Sequence, residues 1–268
     1  MLRSFPRKSK KRSPLKDKPL RNPGQSLDES ISQVMDDEVL ILVATASGCI
    51  GFTVDEWIQW YFKRPPNPLP TTVFCGLLFI YCFYRLLTTR QKLKTLKMAR
   101  DGERAVGQYL DLLREDVYRV FHDVVGDNFN IDHVVVGRNG IFTVETKTYR
   151  KPLKGRANIH FDGETITVNG AKLDRNPVVQ AQAQAGWLST QIQESTGHTH
   201  KVQPVVVFPG WFVTSHLCSE SRSDVWVINP KGISKFIENT PQRIAPEEVR
   251  LVSYHLSRYI RANNHSYL

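Results

Sequence analysis

Two long apolar runs near the amino terminus constrain this chain most. They are VLILVATASGCIGFTV at residues 39–54 and PLPTTVFCGLLFIYCFY at residues 68–84, and charged residues bound each run. At a helical rise of about 1.5 Å per residue, the first run covers roughly 24 Å of a hydrocarbon core that is about 30 Å thick, and the second run covers slightly more. The sequence therefore predicts two transmembrane helices within residues 39–84. The alternative is a buried helical hairpin in a soluble domain.

Lysine and arginine are distributed asymmetrically around these runs. Residues 1–21 hold nine of them against one acid, residues 85–100 hold six and no acid, and the loop between the runs holds two. Basic segments favour the cytoplasmic side and attract anionic lipid headgroups. We therefore expect a two-span protein of the inner or plasma membrane with both termini in the cytoplasm. Residues 1–38 are predicted to be a basic disordered arm and residues 85–100 a basic juxtamembrane linker, both near anionic lipid.

Residues 101–268 are predicted to form the globular domain. They hold nineteen Lys/Arg and eighteen Asp/Glu, so the formal charge of +10 belongs mainly to the amino-terminal arm and is no evidence for a basic domain. The four cysteines, Cys49, Cys75, Cys82 and Cys218, show no CxxC spacing. The sequence thus supports neither a zinc site nor a disulfide framework.

The periodicity of apolar residues in the domain switches between helix and strand. Helices are predicted in DGERAVGQYLDLL, in NPVVQAQAQAGWLSTQIQ from Asn176 onward and in PEEVRLVSYHLSRYI near the carboxyl end. Strands are predicted in VYRVFHDVV, NIDHVVVGRNGIFTVETKTY, ETITVNG, VQPVVVFPGWFV and DVWVIN. This order predicts a mixed α/β domain.

Three charged residues, Asp132, Glu145 and Lys147, interrupt the apolar hairpin at residues 130–149. The turn RNG allows two registers: a loop at Asn139-Gly140 places Asp132 opposite Lys147, and a loop at Arg138-Asn139 places it opposite Glu145. Side chains alternate faces along a strand, so all three charges share one face in either register. Two neighbouring carboxylates with one ammonium need a further cation, and hard oxygen ligands suit Mg²⁺ or Mn²⁺.

Glu103 is a candidate third carboxylate. It lies three residues before Val106 and seven before Leu110, on the apolar stripe of the first domain helix, and is expected to face the sheet. Each feature also has a structural explanation, because a Lys–Glu pair is often a core ion pair and an acid near a helix start stabilises the helix dipole.

Other polar residues are weaker candidates. His198 and His200, with Glu194 nearby, have metal-ligand spacing but lie in a polar stretch. His133 is expected on the face opposite Asp132, as a packed or hydrogen-bonded core residue. Gln180 and Gln184 share one face of the predicted helix, where they would touch substrate or solvent.

Three segments together resemble a known family. GERAVGQYL, NIDHVVVGRNGIFTVETKTY and NPVVQAQAQAGWL are similar to the nuclease-related domain, NERD, of the PD-(D/E)xK restriction-endonuclease-like superfamily. The resemblance implies a mixed sheet flanked by helices and assigns one role to each matching position. Glu103 is the helical acid, Asp132 the metal-binding acid, and Glu145 and Lys147 the acid and lysine of the triplet, with Gln180 as the glutamine of the following helix.

The resemblance implies hydrolysis of DNA phosphodiester bonds. Asp132, Glu145 and the carbonyl of Thr146 would hold the divalent metal, and Lys147 would orient a water molecule. A near-neutral domain lacks the basic track that nucleases normally use for phosphates. The alternative is a catalytically silent membrane module that binds nucleic acid, lipid or a protein partner.

Overall fold

The computed structural model describes residues 18–62, 67–116, 118–152, 155–215 and 224–264. It is a mixed α/β domain with two sheets, preceded by a helical hairpin. The helices are α1 (Gln25–Val34), α2 (Ile41–Tyr61), α3 (Leu69–Leu112), α4 (Pro177–Thr196), α5 (Ile233–Glu238) and α6 (Pro246–Ala262). The strands are β1 (Arg119–Val125), β2 (Asn130–Gly137), β3 (Gly140–Thr146), β4 (Asn158–Phe161), β5 (Ile166–Val168), β6 (Ala171–Lys172), β7 (Val202–Val207), β8 (Phe212–Ser215) and β9 (Trp226–Ile228).

Helices α2 and α3 pack against each other as a hairpin. At one end Trp57 Nε1 donates to Thr72 Oγ1 over 2.9 Å, and at the other Thr89 Oγ1 donates to the Glu38 carboxylate over 3.0 Å. Many large apolar side chains on the outside of this pair are exposed, for example Ile50 at 54% and Phe74 at 66%. The alternative of a hairpin buried within the domain is therefore wrong.

Two helical stretches are long and apolar enough to span a membrane by length and composition, Gln25–Tyr61 and Leu69–Leu112. The first joins α1 to α2 through a wider π-helical stretch at Met35–Leu40. The second, α3, is one unbroken helix of 44 residues, about 66 Å long, that contains the second apolar run, the basic linker and the first domain helix. The predicted linker is thus helical, while the orientation of the two stretches stays a prediction.

The amino-terminal segment differs from its prediction. Residues 18–38 are ordered and largely helical, so the prediction of a disordered arm is wrong for them, while residues 1–17 of the predicted arm lie outside the described residues. The guanidinium of Arg21 pairs with Asp123 over 2.8 Å, and both side chains are 3% exposed. Composition failed here because it carries no information about long-range contacts such as this ion pair.

The larger sheet has the strand order β1-β2-β3-β7-β9, antiparallel among the first three strands and parallel from β3 to β9. Gly137 pairs with Gly140, so the hairpin loop is Arg138-Asn139 and the second of the two predicted registers is correct. Helices α4 and α6 cover one face of the sheet, and α3 and α5 cover the other.

A second, smaller sheet has the order β6-β5-β4-β8. Three of its strands, β4 to β6, come between β3 and β7 in the chain, and β8 follows β7. Of its strands, β5 falls within a predicted strand, β8 only in part, and β4 and β6 not at all, because runs of two to four residues carry little pattern. The predicted helices in the domain are confirmed: Asn176 caps α4 by accepting from the Val178 N–H over 3.1 Å, and α6 covers the predicted carboxyl-terminal helix.

Candidate active site

The charged ends of β2 and β3 lie side by side. The pairing of His133 with Val144, continued by one residue, places Asp132 opposite Glu145. Asp132 Oδ2 accepts the backbone N–H of Thr146 over 2.7 Å, which ties the end of one strand to the other. The two-residue turn at Arg138-Asn139 therefore sets the register that places the two acids opposite each other.

Glu145 is almost fully buried, at 3% exposure, and its two oxygens accept from three side chains. Lys147 Nζ donates to Oε1 over 2.6 Å, Gln180 Nε2 to the same oxygen over 2.8 Å, and Gln184 Nε2 to Oε2 over 2.6 Å. These charge-assisted bonds hold the carboxylate in one orientation.

The two glutamines reach the site from α4. Gln180 Oε1 also accepts from Lys147 Nζ over 2.9 Å, and Gln184 also donates to the carbonyl of Asn130 over 3.0 Å. They lie one turn apart on the helix, so both face the strand ends, as their spacing predicts. Both glutamines donate to Glu145, which the sequence did not predict. Gln184 is buried, so the expectation of solvent contact is wrong for it, whereas Gln180 is exposed as expected.

Glu103 reaches the same region from α3. Gly102 makes this approach possible, because a Cβ at that position would lie 1.9 Å from Thr148 Oγ1, at the strand end next to Lys147. Burial, followed by the nearby charges of Asp123 and Glu145, raises the pKa of Glu103 to about 8. The helical acid thus lies within electrostatic range of Glu145 and faces the sheet as predicted.

The carboxyl groups repel one another. Burial and the charges of Glu145 and Glu103 raise the pKa of Asp132 well above its usual range, although the N–H of Thr146 opposes the shift. Burial lowers the pKa of Lys147, but the attraction of Glu145 outweighs it and the pKa rises, so the ammonium stays charged. Three carboxyls face one cation, which is an arrangement that an added cation would stabilise.

The donor set is compatible with a hard divalent metal, because it consists of carboxylate and backbone oxygens. Among the described residues, no group of three or more His, Cys, Asp or Glu side chains is arranged to hold a metal ion. The oxygens of Glu145 instead accept from Lys147, Gln180 and Gln184.

The histidine predictions have opposite outcomes. His133 is fully buried and its Nδ1 lies 2.9 Å from His122 Nδ1, which confirms a hydrogen-bonded core residue. His198 stacks on His200 and lies 3.6 Å from Glu248, whereas Glu194 contacts Gln191. The proposed His198–His200–Glu194 metal site is therefore wrong.

Sequence reasoning missed Asp123 on β1. Its neighbours His122 and Val124 pair with His133 and Ile131, so Asp123 stands opposite Asp132. Its φ of 51° lies in the left-handed region, and its carboxylate accepts from Arg21 and Ser26. An acid within the apolar stretch VFHDVV was the available signal.

No curated protein and no solved structure matches the chain. The family comparison covers the part of the chain that contains Glu103, the hairpin charges and the two glutamines. Residues 99–209 match the model of the family described as Nuclease-related domain, NERD, and this segment of the chain is therefore a nuclease-related domain.

Proposed function

We propose that the protein is a membrane-anchored, metal-dependent nuclease that hydrolyses DNA phosphodiester bonds at the cytoplasmic face. The observation that carries this proposal is the ion pair of Lys147 and Glu145, whose Nζ and Oε1 atoms are 2.6 Å apart. Glu145 stands opposite Asp132, and all three residues lie inside the nuclease-related segment. The order of these charges also agrees with the PD-(D/E)xK pattern. Two acids and a lysine at a strand end, together with a helical acid of raised pKa, are more typical of a site for phosphoryl chemistry than of a structural ion pair.

Asp132 and Glu145, with the carbonyl of Thr146, would hold Mg²⁺ or Mn²⁺. A bound divalent ion supplies a Lewis acid that polarises a phosphate oxygen and lowers the pKa of water. Lys147 orients the attacking water and offsets the negative charge that develops on the phosphate. The Lys147 side chain is 26% exposed, so a substrate can reach it.

Gln180 positions this lysine. Its amide accepts from Lys147 Nζ and donates to Glu145 Oε1, so one side chain holds the cation and the acid in register. Gln184 holds the other oxygen of Glu145. Glu103, whose pKa is about 8, can hold a proton near neutral pH and release it when a cation approaches.

Membrane anchoring rests on the two apolar helices and on the lysine and arginine asymmetry. The exposed apolar side chains of α2 and α3 need a nonpolar environment, and the acid-free stretch 85–100 suits contact with anionic headgroups. Reporter fusions at residue 62 and at the carboxyl terminus should lie on opposite sides of the membrane. A same-side result would exclude the two-span topology.

A second function is a catalytically silent, membrane-tethered module that binds nucleic acid or a protein partner. The observation in its favour is that three donors already satisfy the oxygens of Glu145. A closed polar network of this kind can be purely structural.

Cleavage of labelled DNA by the full chain, titrated with Mg²⁺ and with Mn²⁺, separates the two functions. The nuclease requires metal-dependent cleavage in the parent and its loss in Asp132→Asn, with folding verified by circular dichroism. Absence of cleavage at every metal concentration, with no metal-induced rise in melting temperature, would favour the silent module.

A further inference from the structure

The near-neutral charge of the domain hides an uneven distribution. Residues 148–175 hold six Lys/Arg and three Asp/Glu, a net charge of +3, whereas the rest of residues 101–268 hold thirteen and fifteen, a net charge of −2. The positive part begins directly after Lys147. It coincides with most of the smaller sheet, so we call residues 148–175 and 208–215 the small-sheet lobe.

The lobe is joined firmly to the candidate active site. Tyr149, two residues after Lys147, stacks on Phe208 with ring centroids 6.1 Å apart, and its carbonyl accepts from Trp211 Nε1 over 3.3 Å. Phe208 and Trp211 belong to the buried core of the lobe. The chain that leaves the strand end with Lys147 therefore runs directly into the lobe surface.

Two exposed cations lie at one edge of this lobe. Lys151 lies over Gly210, close enough that a Cβ on that glycine would be 3.0 Å from Nζ. Arg156 precedes β4, the strand that pairs with β8. Both side chains are exposed, and neither forms an ion pair with any part of the chain that the structure describes.

An exposed aromatic ring lies at the same edge. Phe212 is 67% exposed, it pairs with Asn158 of β4, and its N–H donates over 2.9 Å to the carbonyl of Ala157, the residue after Arg156. It is also two residues from Gly210, over which Lys151 lies. Burying this ring in a partner would remove its apolar surface from water.

We infer that this edge of the small-sheet lobe binds single-stranded nucleic acid, with Lys151 and Arg156 contacting phosphates and Phe212 stacking on a base. The inference rests on the proposed function, because it describes how the same site receives its substrate. Proteins that bind single strands without sequence preference combine cations that contact the phosphate backbone with aromatic side chains on which bases stack. Lys151 and Arg156 also provide the basic track that the average charge of the domain conceals.

An anionic membrane would also accept two cations and a phenylalanine. The position of the lobe favours nucleic acid, since the backbone connects it to Lys147 through only three residues before Lys151. A strand bound there lies beside the candidate catalytic groups. The exposed apolar helices α2 and α3 are a separate surface for lipid.

The test measures binding of the full chain, in neutral phosphatidylcholine nanodiscs, to a short fluorescent single strand and to the matching duplex. EDTA is present throughout, so cleavage cannot affect the result. The variants are Lys151→Gln combined with Arg156→Gln, and Phe212→Leu. Matched controls are Lys231→Gln combined with Lys235→Gln, and Phe236→Leu, which change two exposed cations and a 47% exposed ring outside the lobe.

Loss of the two cations should weaken single-strand binding about tenfold at low salt and reduce the slope of log Kd against log salt by about 1.4. Phe212→Leu should weaken single-strand binding about tenfold and leave duplex binding within about twofold. The controls should bind like the parent, and melting temperatures verify folding.

Equal binding by parent and lobe variants would overturn the inference, and so would a larger loss in the controls. A third arm replaces DNA with vesicles of phosphatidylcholine and phosphatidylserine. Loss of vesicle binding with unchanged DNA binding would assign the surface to a membrane instead. A separate cleavage assay with Mg²⁺ or Mn²⁺ and no EDTA distinguishes this inference from the proposed function. Binding through the lobe without metal-dependent cleavage would refute the nuclease and leave this inference standing, whereas cleavage with lobe-independent binding would do the reverse.

Discussion

Two short ion pairs in the domain look alike and differ in their surroundings. Arg21 and Asp123 are 2.8 Å apart with both side chains 3% exposed, and Lys147 and Glu145 are 2.6 Å apart with the lysine 26% exposed. The guanidinium of Arg21 also donates to Ser26, Glu29 and Asn264. The first pair is closed to solvent, whereas the second has one face open.

The difference separates a structural pair from a candidate catalytic one. An ammonium has three N–H donors, and the hydrogen bonds of Lys147 within the described chain go to Glu145 and Gln180. A donor on the open face can therefore bind a ligand. Arg21 instead fastens residues 18–34 to β1, with its cationic head surrounded by protein acceptors.

The largest effect should come from the two acids at this strand end, Glu145 of the open pair and Asp132 opposite it. Asp132→Asn and Glu145→Gln should each reduce DNA cleavage on the order of 10³-fold, because each removes a charged oxygen ligand for the metal. Asp132→Asn should melt no lower than the parent without metal, since it relieves repulsion with Glu145 and Glu103. Kinetics and thermal melts measure the two effects, and Glu247→Gln, an exposed acid on α6, is the control.

If Asp132→Asn unfolds the metal-free protein, the carboxylate is structural and the distinction between the two pairs fails. Unchanged cleavage in a folded Asp132→Asn would remove the metal role of this residue.

The closed pair should control stability. Arg21→Met leaves the Asp123 carboxylate buried without its partner, and we expect a loss of about 3–5 kcal/mol in the free energy of unfolding. Arg104→Met is the matched control, because it breaks an exposed pair with Asp28 in the same amino-terminal segment and should cost less than about 1 kcal/mol. Denaturant titration of the detergent-solubilised chain compares the two. Similar losses in both variants would contradict the structural role of Arg21.

Lys147→Met should reduce cleavage about 10²-fold and leave metal affinity largely unchanged, because the lysine stabilises charge and is not a metal ligand. Its effect on stability should be smaller than that of Arg21→Met, since water reaches the open face. Single-turnover rates and calorimetric metal titration separate rate from affinity. A loss of stability equal to that of Arg21→Met, with no metal-induced rise in the parent's melting temperature, would make both pairs structural and favour the silent module.

Local pattern predicted the open pair and could not predict the closed one. The two-residue period along the chain places Glu145 and Lys147 on one face together with Asp132, and only the choice between two turn registers stayed open. The partners Arg21 and Asp123 are 102 positions apart, and composition carries no information about such a contact. The hydrogen bonds from Gln180 and Gln184 also depend on how α4 packs, which periodicity does not specify.

The close contact between Gly102 and Thr148, which adjoin Glu103 and Lys147, offers a test with a smaller expected effect. Gly102→Ala places a methyl group 1.9 Å from Thr148 Oγ1, and we expect a loss of about 1–3 kcal/mol from overpacking. Gly186→Ala is the control, because this helical glycine has nothing within 4 Å and alanine should stabilise α4 by up to about 1 kcal/mol. Combining Gly102→Ala with Thr148→Ala should recover most of the loss, and chemical denaturation measures all three. An equal change in the free energy of unfolding of Gly102→Ala and Gly186→Ala would show that Gly102 and Thr148 are not in tight contact.

Glu103 lies within range of both ion pairs, and its titration gives the subtlest comparison. Burial, then the charge of Asp123 and then that of Glu145, raise its pKa to about 8 from an ordinary value of 4.5. Between these two pH values the folded state binds the proton more tightly than the unfolded state, so this group stabilises the fold below pH 4.5 and the contribution is lost as the pH rises through 8. Glu103→Gln should therefore flatten the decline of the metal-free melting temperature over that range. Glu103→Asp, which keeps the charge, should retain a decline. Identical slopes in the parent and Glu103→Gln would mean that the carboxyl does not sense the two pairs, and the crowding of acids that motivates a cation at this site would lose its support.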